Sequence, residues 1–228
     1  MTNLTMTKDL FSTDSSSDDL FDTRSFKTDE PIQLNLPDAD VRFYKHFFSA
    51  DEADALFETL KQEINWQQEK VKVYGKLHNT PRLTAWYGEP NKTYTYSGLS
   101  ATTTPWTNSL LSVKHKLESI CEHTFNSVLL NLYRDGSDGV SWHSDDEIEL
   151  GKNPLIASVS LGETRPFQMK PKSLKKDRSL KKDRVNIPLA HGDLLVMQGE
   201  TQHNWLHQIP KSKKALRERI NLTVRFVS

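Results

Sequence analysis

The chain has little with which to cross-link or anchor itself. Cys121 is the only cysteine among 228 residues, so an intramolecular disulfide is ruled out. A cysteine-based zinc site is not expected either, and a reducing compartment is the natural home. No apolar run approaches the roughly 18 residues that a membrane span needs. The start lacks a basic stretch followed by an apolar one, so no secretory signal is expected. These absences point to a protein that is not secreted and has no membrane partner. Net charge is also missing, because 30 Lys and Arg balance 30 Asp and Glu. Any attraction to a polyanion must therefore be local. There is no Gly-x-Ser-x-Gly elbow, and Cys121 falls on the apolar face of a helical pattern, which argues against nucleophilic hydrolases.

What is present reads as one domain with a tail. Residues 1–28 are rich in Ser, Thr and Asp without periodicity, and are expected to be a disordered tail. Acidic residues gather there (Asp14, Asp18, Asp19, Asp22) and again at Asp145, Asp146, Glu147 and Glu149. Basic residues gather late, from Lys170 to Arg184 and from Lys211 to Arg219. Ser49 and Glu52 spell a capping box, after which Ala53, Leu56, Phe57, Leu60 and Ile64 recur at helical spacing. Thr104-Pro105 reads as a second helix start, with Leu110, Val113, Leu117, Ile120 and Cys121 on the apolar face. Strands are expected over 127–134, 155–161, 165–169, 184–188, 194–198 and 219–227, with turns at Asp135-Gly136, Gly151 to Pro154 and His191-Gly192-Asp193. Helices followed by many strands suggest an α+β domain whose helices brace an antiparallel sandwich or barrel. The hexapeptide Ser173 to Arg178 is repeated as Ser179 to Arg184. Two six-residue copies are too few and too short for a solenoid, so a lengthened hairpin loop or an added basic contact to a polyanion is expected.

Two His-x-Asp pairs occur, His143-Ser144-Asp145 and His191-Gly192-Asp193. On an extended chain, residues i and i+2 project to one side, so an imidazole and a carboxylate can reach one ion. A second His from elsewhere would complete the two-His, one-carboxylate face of non-haem Fe(II) oxygenases. The second pair has a central Gly and feeds an apolar run, which marks a turn rather than a ligand pair. His203 and His207 are both candidates for the third ligand, and spacing does not choose between them. The last strand alternates strictly, with Arg219, Asn221, Thr223 and Arg225 on one face and Ile220, Leu222, Val224 and Phe226 on the other. If the polar face is inward, two arginines need anionic partners, and a dicarboxylate supplies both charges. Asn131 and Tyr133 alternate in the same way and could add neutral hydrogen bonds.

Several segments in order resemble the AlkB family of Fe(II)/2-oxoglutarate dioxygenases. They are Pro81-Arg82, Tyr87-Gly88, Tyr94 to Gly98, Asn131-Leu132-Tyr133, His143-Ser144-Asp145, Trp205-Leu206-His207 and Arg219 to Arg225. The resemblance covers residues 38–228. It implies a double-stranded β-helix, or jelly-roll, over 127–228, with residues 29–126 supplying two bracing helices and a base-reading lid. It implies iron on His143, Asp145 and His207, with 2-oxoglutarate and O₂ as co-substrates. Arg219 and Tyr133 would hold the far carboxylate, and Arg225, Asn131 and Asn221 would lie near the chelating end.

The chain is most similar to members that repair alkylated DNA, which implies oxidative demethylation with release of formaldehyde and succinate. Tyr74 stands where double-strand members carry an intercalating wedge, and Lys213 and Lys214 match a loop gripping the opposing strand. Arg82 and the stretch to Glu89 resemble members that accept single strands. Tyr94 and Tyr96 would wall the base pocket, with Glu147 as its acid. A base methylated on its pairing edge, such as 1-methyladenine or 3-methylcytosine, is cationic and pairs poorly, so it is the easier base to flip and the one a carboxylate favours. The expected partner is DNA carrying such bases, or RNA, bound by a monomer. Competing readings are an RNA demethylase of the same chemistry, a protein side-chain hydroxylase and a non-enzymatic barrel.

Overall fold

A computed structural model describes residues 30–228 except 74, 91–92, 97–98 and 173–183, and only the backbone at 72–73, 93–96 and 99–102. The acidic tail, Tyr74 and all of the duplicated segment but Arg184 lie outside the described residues.

The strands in chain order are β1 (Ile32–Leu34), β2 (Asp40–Tyr44), β3 (Lys70–Val73), β4 (Lys76–Asn79), β5 (Leu83–Gly88), β6 (Thr93–Tyr96), β7 (Leu99–Thr102), β8 (Thr104–Pro105), β9 (Ser127–Tyr133) and β10 (Val140–His143). They continue as β11 (Ile156–Gly162), β12 (Arg165–Pro171), β13 (Val185–Leu189), β14 (Asp193–Gln198), β15 (Trp205–Ile209) and β16 (Arg219–Arg225). Among the described residues they are accompanied by the helices α1 (Ala50–Glu63), α2 (Asn108–Cys121) and the one-turn α3 (Thr201–Asn204).

α1 begins as its sequence dictates. Glu52 N donates to the Ser49 hydroxyl, Ser49 N donates to the Glu52 carboxylate, and Ala53 and Leu60 are buried against the sheet. α2 corrects the sequence reading. Its cap is Thr107, whose hydroxyl accepts from Leu110 N, and Thr104-Pro105 instead form the edge strand β8 beside β5. A proline lacks the N–H of a ladder, and a sheet edge is where that loss costs least.

The large sheet runs β1-β2-β14-β11-β16-β9-β5-β8, and a second sheet runs β10-β15-β12-β13. Half of the large sheet's strands come from the first part of the domain, where the sequence had suggested only helices and a lid. Two apolar layers result. Val128, Leu130, Leu132, Ile220, Leu222 and Val224 pack with the helices, while Val41, Phe43, Ile156, Leu195 and Met197 pack with Phe167, Met169, Ile187, Trp205 and Ile209 between the sheets. This is the jelly-roll expected. Every residue of β16 is buried, so the strand's polar face looks into the space between the sheets.

Candidate active site

His143 ends β10, and antiparallel pairing sets it directly opposite His207 on β15. Their rings are 4.3 Å apart at 59°, and His207 also stacks on Phe167 at 5.1 Å. Asp145 lies two residues beyond His143, past the strand end, where its N–H donates to Gln202 Oε1 at 3.0 Å. One ligand atom from each of His143, Asp145 and His207 lies within 4.8 Å of the others, the only such His/Cys/Asp/Glu cluster among the described residues. His203 is not part of it; its ring bonds Asn153 at the surface.

The atoms left over fit a metal. His143 Nδ1 lies 2.8 Å from the Ser141 carbonyl, which only accepts, so Nδ1 carries the proton and Nε2 keeps its lone pair. Nε2 lies 3.9 Å from Asp145 Oδ1. That oxygen is buried and has no hydrogen-bond partner among the described residues. Asp145 Oδ2 pairs with Arg225 Nη2 at 2.9 Å. Burial pushes the Asp145 carboxyl up, but Arg225, His207 and His143 together outweigh it and hold the group below the usual carboxylate range. Burial, helped by His143, pushes His207 down to about 3, and burial also lowers His143. An ionised carboxylate and two neutral imidazoles are the protonation states that metal ligation needs.

One cavity holds these groups together with Arg82, Asn131, Tyr133, Arg219, Asn221 and Arg225. Arg219 is 1% exposed, and its Nη2 donates to Ser160 Oγ at 2.8 Å. Its Nε and Nη1 have no partner among the described residues. Its guanidinium stands 5.2 Å from the Tyr133 ring, directly across the strand pair. Burial lowers Arg219 to about 10, so it remains a cation at neutral pH. A buried cation with unmade donors is costly unless an anion completes it. Asn221 is braced by Ser158 Oγ and the Val159 carbonyl, and accepts from Thr223. Asn131 accepts from Arg82 Nε at 2.8 Å, so Arg82 is a buried part of the cavity wall rather than a surface contact.

The residues assigned to the nucleic acid are more scattered. Glu147 is half-buried and leads into the 3-10 turn Ile148–Leu150; it does not line the cavity. Lys213 and Lys214 are exposed in the loop before β16, where Lys214 N donates to Ser212 Oγ. A side chain at Gly136 would meet the Ser212 and Lys214 carbonyls at 2.6 and 2.7 Å, so this glycine lets the two loops close. Tyr94 and Tyr96 lie on β6, paired with β7, and their side chains fall outside the described residues, as does Tyr74.

Sequence reasoning missed Gln202, which pins the Asp145 backbone, and Arg165. Arg165 is fully buried and donates to the carbonyls of Asp135, Asp138 and Pro210 while facing Tyr133 at 5.6 Å. Neither carries a sequence signal, since both act through distant backbone.

With the geometry in hand, comparison with known proteins is informative. Residues 40–225 match the 2OG-Fe(II) oxygenase superfamily. The alpha-ketoglutarate-dependent dioxygenase alkB homolog 3 of Bos taurus is 45% identical over 184 residues, covering 79% of this chain and 64% of the bovine one. The Homo sapiens protein of that name is 44% identical over 190 residues, covering 82% and 66%. The chain thus spans a little under two thirds of these relatives. The Homo sapiens DNA oxidative demethylase ALKBH2 is 40% identical over 188 residues, covering 81% and 72%. Among solved structures, that described as the structure of OsALKBH1 is similar with a TM-score of 0.54 at 17% identity, covering 82% of this chain and 96% of that one, a likeness of fold.

Proposed function

Because the chain belongs to the 2OG-Fe(II) oxygenase superfamily, and within it to the AlkB homologues, we propose that it oxidatively demethylates N-alkylated bases in DNA. The observation that carries this reading is the meeting, in one buried cavity, of the His143, Asp145 and His207 cluster with the unmade donors of Arg219. His143, Asp145 and His207 hold Fe(II), and Arg219 with Tyr133 holds the far carboxylate of 2-oxoglutarate. Once bound, Fe(II), 2-oxoglutarate and O₂ supply the oxidation of an N-methyl carbon, with succinate, carbon dioxide and formaldehyde as products.

The chain's own residues do the rest. Ser141 keeps the proton on His143 Nδ1, and Arg225 keeps Asp145 ionised and oriented. Phe167 and Met197 wall the site with apolar surface. Asn131, held by Arg82, and Asn221, held by Ser158, fix the polar wall on which the co-substrate lies. We assign Tyr94 and Tyr96 to the base side of the site and Glu147, two residues beyond the ligand Asp145 and off the cavity wall, to the approach of the base, where a carboxylate favours a cationic methylated base. Lys213 and Lys214 meet the phosphate backbone. DNA as substrate is supported by the relatives named DNA oxidative demethylase.

The test is aerobic incubation with Fe(II), 2-oxoglutarate and DNA carrying 1-methyladenine, beside RNA with the same lesion. Loss of one methylene from the DNA with formaldehyde release is the expected result. Turnover of RNA alone would move the substrate, and no turnover of either would remove the demethylase reading.

A further inference from the structure

The outer face of the second sheet takes no part in the chemistry above, yet it has an unusual composition. Its strands read VSWH, WLHQI, RPFQMKP and VNIPL, without one Asp or Glu. On β10 the ligand His143 points between the sheets, so its neighbour Trp142 points out. Lys170 Nζ stands 4.3 Å from the Trp142 ring and the Arg184 guanidinium 5.7 Å. Beside them Gln208 donates to Gln168 at 2.7 Å, which gives a neutral amide floor. Lys172, just past β12, is neutralised by Asp146 at 2.6 Å. Lys170 and Arg184 have no carboxylate in ion-pair range among the described residues. Trp142 is half-buried and Arg184 exposed.

Trp142 has a second role. It walls a cleft between the β3–β4 hairpin and β10, together with Val71, Thr80, Arg82 and His143. Trp142 of the basic patch and the ligand His143 therefore line the same cleft. An aromatic ring with two cations over it, neither in reach of a carboxylate among the described residues, on strands without acids, suits one kind of partner. A nucleobase offers a π-face for the indole, and its phosphates offer charge for the cations.

We propose that Trp142, Lys170 and Arg184 form a docking platform for an unpaired nucleotide of single-stranded nucleic acid, beside the base that enters the active site. The proposal rests on the nucleic-acid reading of that site. It also gives the second copy of the duplicated hexapeptide a task, since Arg184 is its last residue. Stacking needs a base free of its partner, so the platform favours single strands over a closed duplex.

Fluorescence anisotropy of the full chain with an unmodified labelled single strand, and with the matching duplex, tests this at several salt concentrations. Trp142→Ala should weaken single-strand binding about tenfold, with Trp142→Phe restoring most of it. The double substitution Lys170→Gln with Arg184→Gln should lower the slope of log affinity against log salt by about 1.4, as two lost phosphate contacts require. If Trp142→Ala does not fold, the double variant at half-buried and exposed positions carries the test. Unchanged affinity and slope, or equal losses on single strand and duplex, would overturn the platform. Turnover of a methylated oligonucleotide by the unsubstituted protein is measured alongside. Its absence sinks the demethylase reading, whereas turnover with unaltered binding in the variants sinks the platform alone.

Discussion

His143-Ser144-Asp145 and His191-Gly192-Asp193 share a spelling and differ in what surrounds them. In the second pair the structure commits both Asp193 oxygens and His191 Nδ1 to backbone N–H groups, leaving only His191 Nε2 without a hydrogen bond. Asp193 accepts the backbone N–H of His46 through one oxygen and that of Ala190 through the other. His191 Nδ1 accepts from Gly162 N, and its Nε2 lies 3.2 Å from Asp54. Gly192 turns the chain at φ +81, and a side chain there would meet the Phe48 carbonyl at 2.5 Å. In the first pair the surroundings orient the groups and then leave valences over: a lone pair on His143 Nε2 and an unpaired oxygen on Asp145. A metal-ligand motif is recognised less by its letters than by what the fold leaves unsatisfied.

The comparison can be broken most directly at the two histidines. His143→Ala should cut turnover more than about a hundredfold and abolish a Co(II) absorbance titration. His191→Ala should leave that titration unchanged, and if it does not, the distinction between the pairs fails. Next in size is the co-substrate end. Arg219→Lys should raise the KM for 2-oxoglutarate by about tenfold or more, because an ammonium does not reproduce the planar fork. A KM within twofold would detach Arg219 from the dicarboxylate. Asp193→Ala should cost about 2 kcal/mol of stability by stranding two backbone donors, read as a shift in denaturant midpoint with the metal titration intact. The smallest effect is expected for His203→Ala. Its bond to Asn153 is at the surface, so stability should move by less than about 0.5 kcal/mol.

What could be read in advance follows how local each signal is. The Ser49–Glu52 box involves four consecutive residues, and α1 starts there. Thr104-Pro105 carried an equally local signal, but pairing with β5 overrode it and passed the cap to Thr107. β1, β2 and β5 escaped notice because their burial comes from strands far along the chain, such as β14 for β2 and β9 for β5. The site divides in the same way. Two-residue spacing singles out His143 and Asp145 and leaves His203 and His207 open; the AlkB resemblance picks His207, and the β10–β15 register is what sets it opposite His143. Gln202 and Arg165 serve backbone groups elsewhere in the chain, so no pattern announces them.

By itself the sequence determined the alternation of β16, the candidate ligands and the AlkB resemblance, because side-chain order along a strand is a property of the backbone. It did not determine which way the polar face turned. Closing the second sheet over the first made that face an interior, and an interior is where a carboxylate keeps an unpaired oxygen and a guanidinium keeps two unmade bonds. That enclosure belongs to no segment, since it arises from strands scattered from β9 to β16.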